Sequence, residues 1–379
     1  MYYRNYIGMT NHIEHIQNLT AEAVDLLKEM IAIPSPSFSE SAVCDFISGW
    51  MRAKDIGHNR IGNNIVAEHI VDPSSPVLML CAHMDTVSPS EGYEFDPYEP
   101  HYDVAADIIG KMTGKAVGPE DIVAGLGSND DGASVVAMLA AYRATIAAAE
   151  RNVILVLTCE EERSGKNGMT GLWPDLESKV TYAIVGEPTG MKAATAERGL
   201  LVIDATAHGV SGHAARNEGE NALYIALEDI SRLKAHKFTK VSPRMGKVNL
   251  NVTQISAGTA HNVIPDRCDF VIDIRPTEQY TNEEILMELQ SICRSELRPR
   301  NLANRSSATF DDSPLQKAAE KIGMETFSSP TTSDWMRITC DAVKMGPGES
   351  SRSHRRNEFV FTDEIRNGIE KYIEFINNL

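Results

Sequence analysis

Val77-Leu78-Met79-Leu80-Cys81-Ala82-His83-Met84-Asp85-Thr86-Val87 is the stretch on which the reading of the fold turns. Its first six residues are apolar or small and predict a buried strand; the run then breaks into His, Asp and Thr, which are costly to bury without partners. In open α/β sheets ligands gather beyond the carboxyl ends of the strands, so a strand ending in His-x-Asp marks the lip of a candidate site. An isolated histidine of this kind would more often be a packed core residue. The decision therefore rests on whether other strands end in the same way.

Two more do. Asn152 to Cys159 is a buried strand running into Glu160-Glu161-Glu162, and Thr181 to Val185 runs into Gly186-Glu187-Pro188-Thr189. Between them and the opening strand, Gly125-Leu126-Gly127-Ser128-Asn129-Asp130-Asp131-Gly132 opens an Ala-rich helix over Ala133 to Ala149. A glycine-rich turn before a helix suits phosphate, but no G-K-[ST] follows and two aspartates stand where the anion would lie. Carboxylates in that place attract a cation instead.

Outward from this centre, the chain of 379 residues with 42% hydrophobic content can bury two cores. Thr20 to Ile31 has a cap and helical spacing after an irregular opening, Glu40 to Lys54 predicts a second helix, and Asn64 to Glu68 an edge strand. Met9 offers a second possible start. The stretch from Pro100 to Val123 is weakly patterned. From Lys192 the pattern changes to cleaner alternation: strands over Leu200 to Ala207, Lys247 to Ile255 and Asp269 to Ile274, and helices over Asn221 to Leu233 and Asn282 to Ser295. This predicts an α/β fold: a mostly parallel-sheet domain, residues 1–191 and 305–379, interrupted by an α+β domain at 192–304 with an antiparallel sheet and helices on one face. Arg298-Pro299-Arg300-Asn301 is expected to be the return linker, followed by a helix at Pro314 to Ile322, a strand near Ala342 to Met345 and a last helix from Thr362 to Ile376.

The formal charge of −17 opposes nucleic acid or an anionic membrane as the main partner. The six cysteines are scattered singly without a C-x-x-C pair, and no apolar run is long enough to span a bilayer, so the expectation is a cytoplasmic protein without thiolate zinc. The candidate ligands are then His83, Asp130, Glu161, Glu162, Glu187 and His354, the last following the glycine turn Met345 to Gly348. Imidazole and carboxylate without cysteine suit zinc, cobalt or manganese. The set exceeds what one zinc needs and is sized for two ions sharing a carboxylate. Asp85 is placed to orient the free nitrogen of His83.

These segments resemble the di-zinc amidohydrolase and exopeptidase superfamily of acetylornithine deacetylase and succinyl-diaminopimelate desuccinylase, over almost the whole chain. His83 to Val87, Gly127 to Asp130, Thr158 to Glu162, Gly186 to Thr189 and His354 match its five metal motifs in order. The resemblance implies two Zn2+ (Co2+ or Mn2+ as substitutes): His83 and Glu187 on one ion, Glu162 and His354 on the other, Asp130 between them. It makes Glu161 the general base, which takes the proton of the attacking water and returns it to the departing amine. It also implies a homodimer through the inserted domain, with His213 of Gly209-Val210-Ser211-Gly212-His213 reaching the partner's site to stabilise the oxyanion. Asn262, in Gly258 to Pro265, and Arg275 would hold the substrate carboxylate. Two departures bear on specificity: Asp131-Gly132-Ala133 stands where the family usually has Lys, and Ala214 to Asn217 lacks the proline often found after the lid histidine. Gly125 to Asp130, Ser329 to Asp334 and Gly346 to His354 resemble acetylornithine deacetylase-like proteins most. The expected reaction is hydrolysis of N2-acetylornithine or a succinylated relative in arginine biosynthesis. The alternatives are a desuccinylase, a dipeptidase or carboxypeptidase, and a homologue that binds without turnover.

Overall fold

The hydrophobic runs pair side by side as their lack of alternation requires, since strands covered on both faces need no polar side. In the computed structural model, which describes residues 2–216 and 218–379 with side chains from residue 13 onward, Val77–His83 lies between Asn152–Thr158 and Tyr182–Val185. Both pairs are parallel, with His83 opposite Thr158 and Cys81 opposite Val185. Asp341–Lys344 joins Tyr182–Val185 in parallel on the far side. These four strands form the parallel centre. Antiparallel additions flank it: Asn64–His69 pairs with Asn152–Thr158, and Asn59–Ile61 turns back on Asn64–His69 as the true edge. Asn64–His69, read as an edge strand from its sequence, is therefore an inner one.

Helices cover both faces. Tyr2–Ile31, Ala133–Ala148 and Thr362–Asn378 close over one core with Leu26, Leu27, Val136, Leu139, Tyr372 and Phe375 buried. Met169–Leu176 packs Leu172 and Trp173 against Met79, Cys81 and Ile154 on the other face. Two readings of the sequence are corrected here. The first helix does not begin at Thr20. Ile16 and Leu19 are buried on the same stripe as Ala23, Leu26 and Met30, and the Thr20 hydroxyl donates to the Ile16 carbonyl at 2.8 Å instead of capping. The stretch read as weakly patterned contains a helix, Tyr102–Thr113, whose buried face is only Ala105, Ala106 and Ile109. Two of those are alanines, so the apolar stripe is thin in the sequence.

The division into compact units falls at 195/196 and 308/309, with residues 328–332 grouped with the second unit. That second unit is a four-stranded antiparallel sheet in the order Asn249–Ala257, Arg267–Arg275, Leu201–His208, Glu296–Pro299. Alternate residues Leu201, Ile203, Ala205 and Ala207 are buried together with Ile225, Ala226, Ile285 and Leu289 of helices Ala222–Ala235 and Asn282–Gln290. Asn221 caps the first helix through Leu223 N–H at 3.0 Å, and Thr281 with Glu284 forms a capping box on the second.

The second helix is shorter than its pattern predicts, ending at Gln290. The buried Asp229 carboxylate accepts the N–H groups of Arg294 (3.0 Å) and Ser295 (2.8 Å) and the Ser295 hydroxyl (2.7 Å), which pulls the chain out of the helix and into Glu296–Pro299. Arg298-Pro299, expected in a linker, is thus part of an edge strand, a place where proline is tolerated. Truncating the fully buried Leu27 to Ala should destabilise the first unit by about 2–5 kcal/mol. Equilibrium denaturant unfolding, with an earlier midpoint at unchanged slope, checks this.

Candidate metal centre

Because the four central strands are parallel, their carboxyl ends lie together. Backbone pairing continues past them: Met84 N–H donates to Thr158 O at 2.8 Å, Gly186 N–H to Cys81 O at 2.6 Å, and Met345 N–H to Val185 O at 2.9 Å. The side chains that follow therefore converge. Gly186 shows how closely: a Cβ there would lie 2.7 Å from Ser134 Cβ and 2.9 Å from Asp131 Oδ2, so only glycine brings Glu187 in at this height.

His83 is buried at the centre. Its Nε2 faces Asp130 Oδ1 at 3.2 Å, and its Nδ1 lies 2.9 Å from the Asp85 carbonyl and 3.5 Å from the Asp85 carboxylate. The orienting contact is thus chiefly the main chain of Asp85. The Asp85 carboxylate is taken up elsewhere: it accepts from Ser37 Oγ at 2.7 Å and from the N–H groups of Glu161 (3.0 Å) and Glu162 (3.2 Å). Glu162 meets His354 Nε2 at 2.9 Å, and that nitrogen is 3.6 Å from Asp130 Oδ2. Two groups of potential ligand atoms, His83 with Asp130 and Glu162, and His83 with Glu161 and Glu187, each fit within 4.8 Å. All six residues proposed from the sequence as ligands or base are brought to one end of one sheet. His213, Asn262 and Arg275 belong to the second unit.

The electrostatics follow from burial. Burial drives the Glu161 carboxyl well above its ordinary pKa, and Glu187, Asp334 and Glu162 add repulsion against the opposing pull of His83. Glu187 is raised in the same way, by burial and then by Asp130, with Lys344 in opposition. Asp130 goes the other way: burial is outweighed by its contacts with His83 and the nearby His354, which hold it below the usual range. Neither Glu161 nor Glu187 makes a hydrogen bond with its carboxylate among the described residues. Half-buried and buried carboxylates that repel one another around two imidazoles are a donor set that a pair of divalent cations would neutralise.

Three further acids stand behind this set. Glu358 accepts the N–H groups of Asn129 and Asp130, each at 2.9 Å, and burial lifts its pKa to about 8. Asp334 accepts from Thr158 Oγ1 at 2.7 Å and is raised by burial to about 6. Asp131 is also raised by burial, to about 8. Asp131 and Asp334 fall within stretches whose pattern was noted in the sequence, while Glu358 follows His354 in a polar run with nothing to distinguish it.

In the second unit, Gly212–His213 pairs with Val263–Ile264, and Ala214 N–H donates to the Asn262 carbonyl at 3.1 Å, so His213 and Asn262 share one small module. His213 is exposed, and Asn217 lies outside the described residues. The Arg275 guanidinium is engaged by Asp273 on its own strand, at 2.9 and 3.1 Å.

Comparison with known proteins agrees with both halves of this description. Residues 195–301 match a peptidase dimerisation domain, M20_dimer, and residues 64–185 match peptidase family M28. The chain is 25% identical over 358 residues to a putative [LysW]-lysine/[LysW]-ornithine hydrolase of Pyrobaculum aerophilum, covering 89% of this chain and 91% of the relative. It is 25% identical to the succinyl-diaminopimelate desuccinylase of Corynebacterium glutamicum, covering 94% and 96%, and 28% identical to an acetylornithine deacetylase of Myxococcus xanthus, covering 56% and 61%. Among solved structures, a Bacillus subtilis protein described as a dinuclear metal-binding peptidase of family M20 superposes with a TM-score of 0.69 at 14% identity, covering 96% of this chain and 98% of that one.

In metal-free protein the His354 imidazole is raised to about 9, first by its hydrogen bond to Glu162 and then by the charges of Glu162 and Asp130, against the opposing effect of burial. Its folded pKa exceeds the unfolded value near 6.5, so the stabilisation is complete below that value and disappears as pH rises through about 9. An NMR titration of the metal-free protein should show the His354 ring signals moving near this upper pH. The same signals should stop titrating once zinc is added.

Proposed function

We propose that this chain, which belongs to the M20 family of metallohydrolases, cleaves the amide bond of an N-acylated amino acid, with N2-acetylornithine or N2-succinylornithine as the preferred substrate. The observation that carries the reading is the convergence of His83, Asp130, Glu161, Glu162, Glu187 and His354 beyond the ends of parallel strands. No helix among the described residues is long and apolar enough to cross a membrane.

His83 and Glu187 would hold one cation, Glu162 and His354 a second, and Asp130 both. Zinc is the expected ion, with cobalt or manganese as substitutes, and a bound pair supplies polarisation of the amide carbonyl and a lowered pKa for water. The remaining chemistry belongs to the chain. Glu161, with its raised pKa and no hydrogen bond to its carboxylate among the described residues, accepts the proton of the attacking water and delivers it to the departing amine nitrogen. The Asp85 carboxylate fixes the backbone from which Glu161 projects. What favours ornithine is the resemblance of Gly125 to Asp130, Ser329 to Asp334 and Gly346 to His354 to acetylornithine deacetylase-like proteins; the names of the relatives include both ornithine and diaminopimelate, and the desuccinylase and the peptidases of the family are the competing readings.

Glu161→Gln should lower kcat by at least about 10²-fold while the protein still binds close to two zinc ions. Steady-state kinetics with metal analysis on the same sample checks this, and near-normal turnover would remove the base. Parallel assays on acetylornithine, succinylornithine, succinyl-diaminopimelate and dipeptides then rank the substrates; a peptide turned over best would overturn the ornithine assignment.

For the second unit we infer a homodimer in which His213 serves the partner's site as oxyanion donor, with Asn262 and Arg275 on the substrate carboxylate. The match to a dimerisation domain supports the assembly. Mixing inactive Glu161→Gln and His213→Ala proteins under confirmed subunit exchange should restore part of the activity. Exchange without recovery would argue against a shared site.

A further inference from the structure

The turn that presents Glu161 and Glu162 is held by side chains from other parts of the first unit. Four consecutive backbone N–H groups are each received by a buried polar side chain. Cys159 donates to Asn64 Oδ1 at 3.0 Å, Glu160 to Glu40 Oε1 at 3.1 Å, Glu161 to Asp85 Oδ1 at 3.0 Å and Glu162 to Asp85 Oδ2 at 3.2 Å. Asp85 borders the metal centre. Glu40 does not. Its carboxylate is wholly buried, far from the usual habit of glutamate, although it precedes the helix Ser41–Ala53 without capping it.

What Glu40 does instead is hold two residues in an unfavourable conformation. Its Oε1 also accepts the N–H of Phe38 at 2.7 Å, and Phe38 and Glu160 both have left-handed backbones, with φ of 74° and 60°. Neither is glycine, so each needs its surroundings to keep it there. Asn63 donates to Glu40 Oε2 at 3.2 Å and steadies the carboxylate from the far side. Glu160 in turn receives Asn167 through N–H at 3.0 Å and side-chain amide at 2.6 Å, which closes the loop after the pair. The left-handed residue at Glu160 is the corner from which Glu161 and Glu162 leave the sheet.

We propose that Glu40 is a positioning residue for the Glu161–Glu162 pair: by accepting the Glu160 N–H it fixes the corner that aims one carboxylate at the proton and the other at the metal. This rests on the roles given to Glu161 and Glu162 above. No contact with substrate is required of Glu40. Its companion in the same segment, Ser37, steadies Asp85 at 2.7 Å, so Ser37 to Glu40 secures three of the four N–H groups directly or through Asp85.

The test compares Glu40→Ala, which removes the acceptor, with Glu40→Gln, which keeps Oε1 for the Phe38 and Glu160 N–H groups and puts an NH2 donor where Oε2 takes the Asn63 amide, a change met by turning the Asn63 amide over. Glu40→Ala should lower kcat by roughly 10–100-fold with KM little changed, and weaken zinc retention, as loss of a supporting group around a metal site does. Hydrogen exchange of the peptide spanning 159–168 should quicken in Glu40→Ala, and Glu40→Gln should restore both rate and protection to within about threefold of the parent. A folded Glu40→Ala protein with parental kcat and parental exchange in that peptide would overturn the proposal, as would a Gln variant no better than Ala. If the Ala variant does not fold, Glu40→Asp keeps the charge on a shorter arm and is judged on the same two readings: slower turnover with faster exchange supports the assignment, and parental values refute it. Glu161→Gln is the control. Loss of turnover there with unchanged exchange upholds the base, whatever Glu40 does; if Glu161→Gln stays active the base reading falls, while the exchange data still decide whether Glu40 holds the corner.

Discussion

Mutual repulsion among carboxylates crowded at one end of the sheet is the constraint on which the rest of this molecule depends. Asp130, Glu161, Glu162 and Glu187 meet around His83, and burial alone would push each toward its neutral form. Such a cluster is tolerable only if the charge is answered, by cations in front and by donors behind. The sheet provides for the first by pointing four parallel strand ends at one place. Side chains and backbone N–H groups provide for the second: Asp85 receives two N–H groups and a hydroxyl, Glu358 receives two more, and Asp334 takes the Thr158 hydroxyl.

The same constraint explains an acidic layer deeper than ligation needs. Asp85 and Glu358 are acceptors that organise backbone, Asp334 ties down the Thr158 hydroxyl, and this organised surround is what holds the inner carboxylates in place. Asn129 adds a neutral tie. Its amide oxygen accepts Glu349 N–H at 2.9 Å and its amide nitrogen donates to Glu349 O at 3.1 Å, sewing the segment that leads to His354 against the loop of Asp130. The candidate ligand set is thereby supported from neighbouring loops without a single thiolate.

What could be seen in the sequence was whatever a local pattern records. Val77–His83, Asn152–Thr158 and Tyr182–Val185 are short apolar runs broken by chemistry-bearing residues, and the break itself gave the site away. The parallel centre and the inserted antiparallel sheet followed from the absence or presence of alternation. Where the pattern was thin or a long-range contact decided, it did not suffice. Tyr102–Thr113 buries alanines, Thr20 looks like a cap although its neighbours Ile16 and Leu19 extend the buried stripe, and the helix ending at Gln290 is cut short by Asp229, about 65 residues upstream in the chain. His83, Glu161, Glu162 and Glu187 were legible because they follow strand ends, and Asp130 and His354 because they follow glycine turns. Glu40 and Glu358 were not, since each acts on a backbone far away in sequence and nothing beside it announces the partner.

The insertion has a further consequence for the order in which the centre comes into being. His83, Asp130, Glu161, Glu162 and Glu187 all lie ahead of the second unit, whereas His354 comes after it, on the returning segment. Asp341–Lys344, the fourth parallel strand, returns with it. On the ribosome the chain therefore displays an acid-rich, one-histidine half-site through the whole synthesis of the inserted domain, and gains its second imidazole only in the last tenth of its length. Chain order makes the cluster self-timing: its six side chains cannot be brought together until both units have been made.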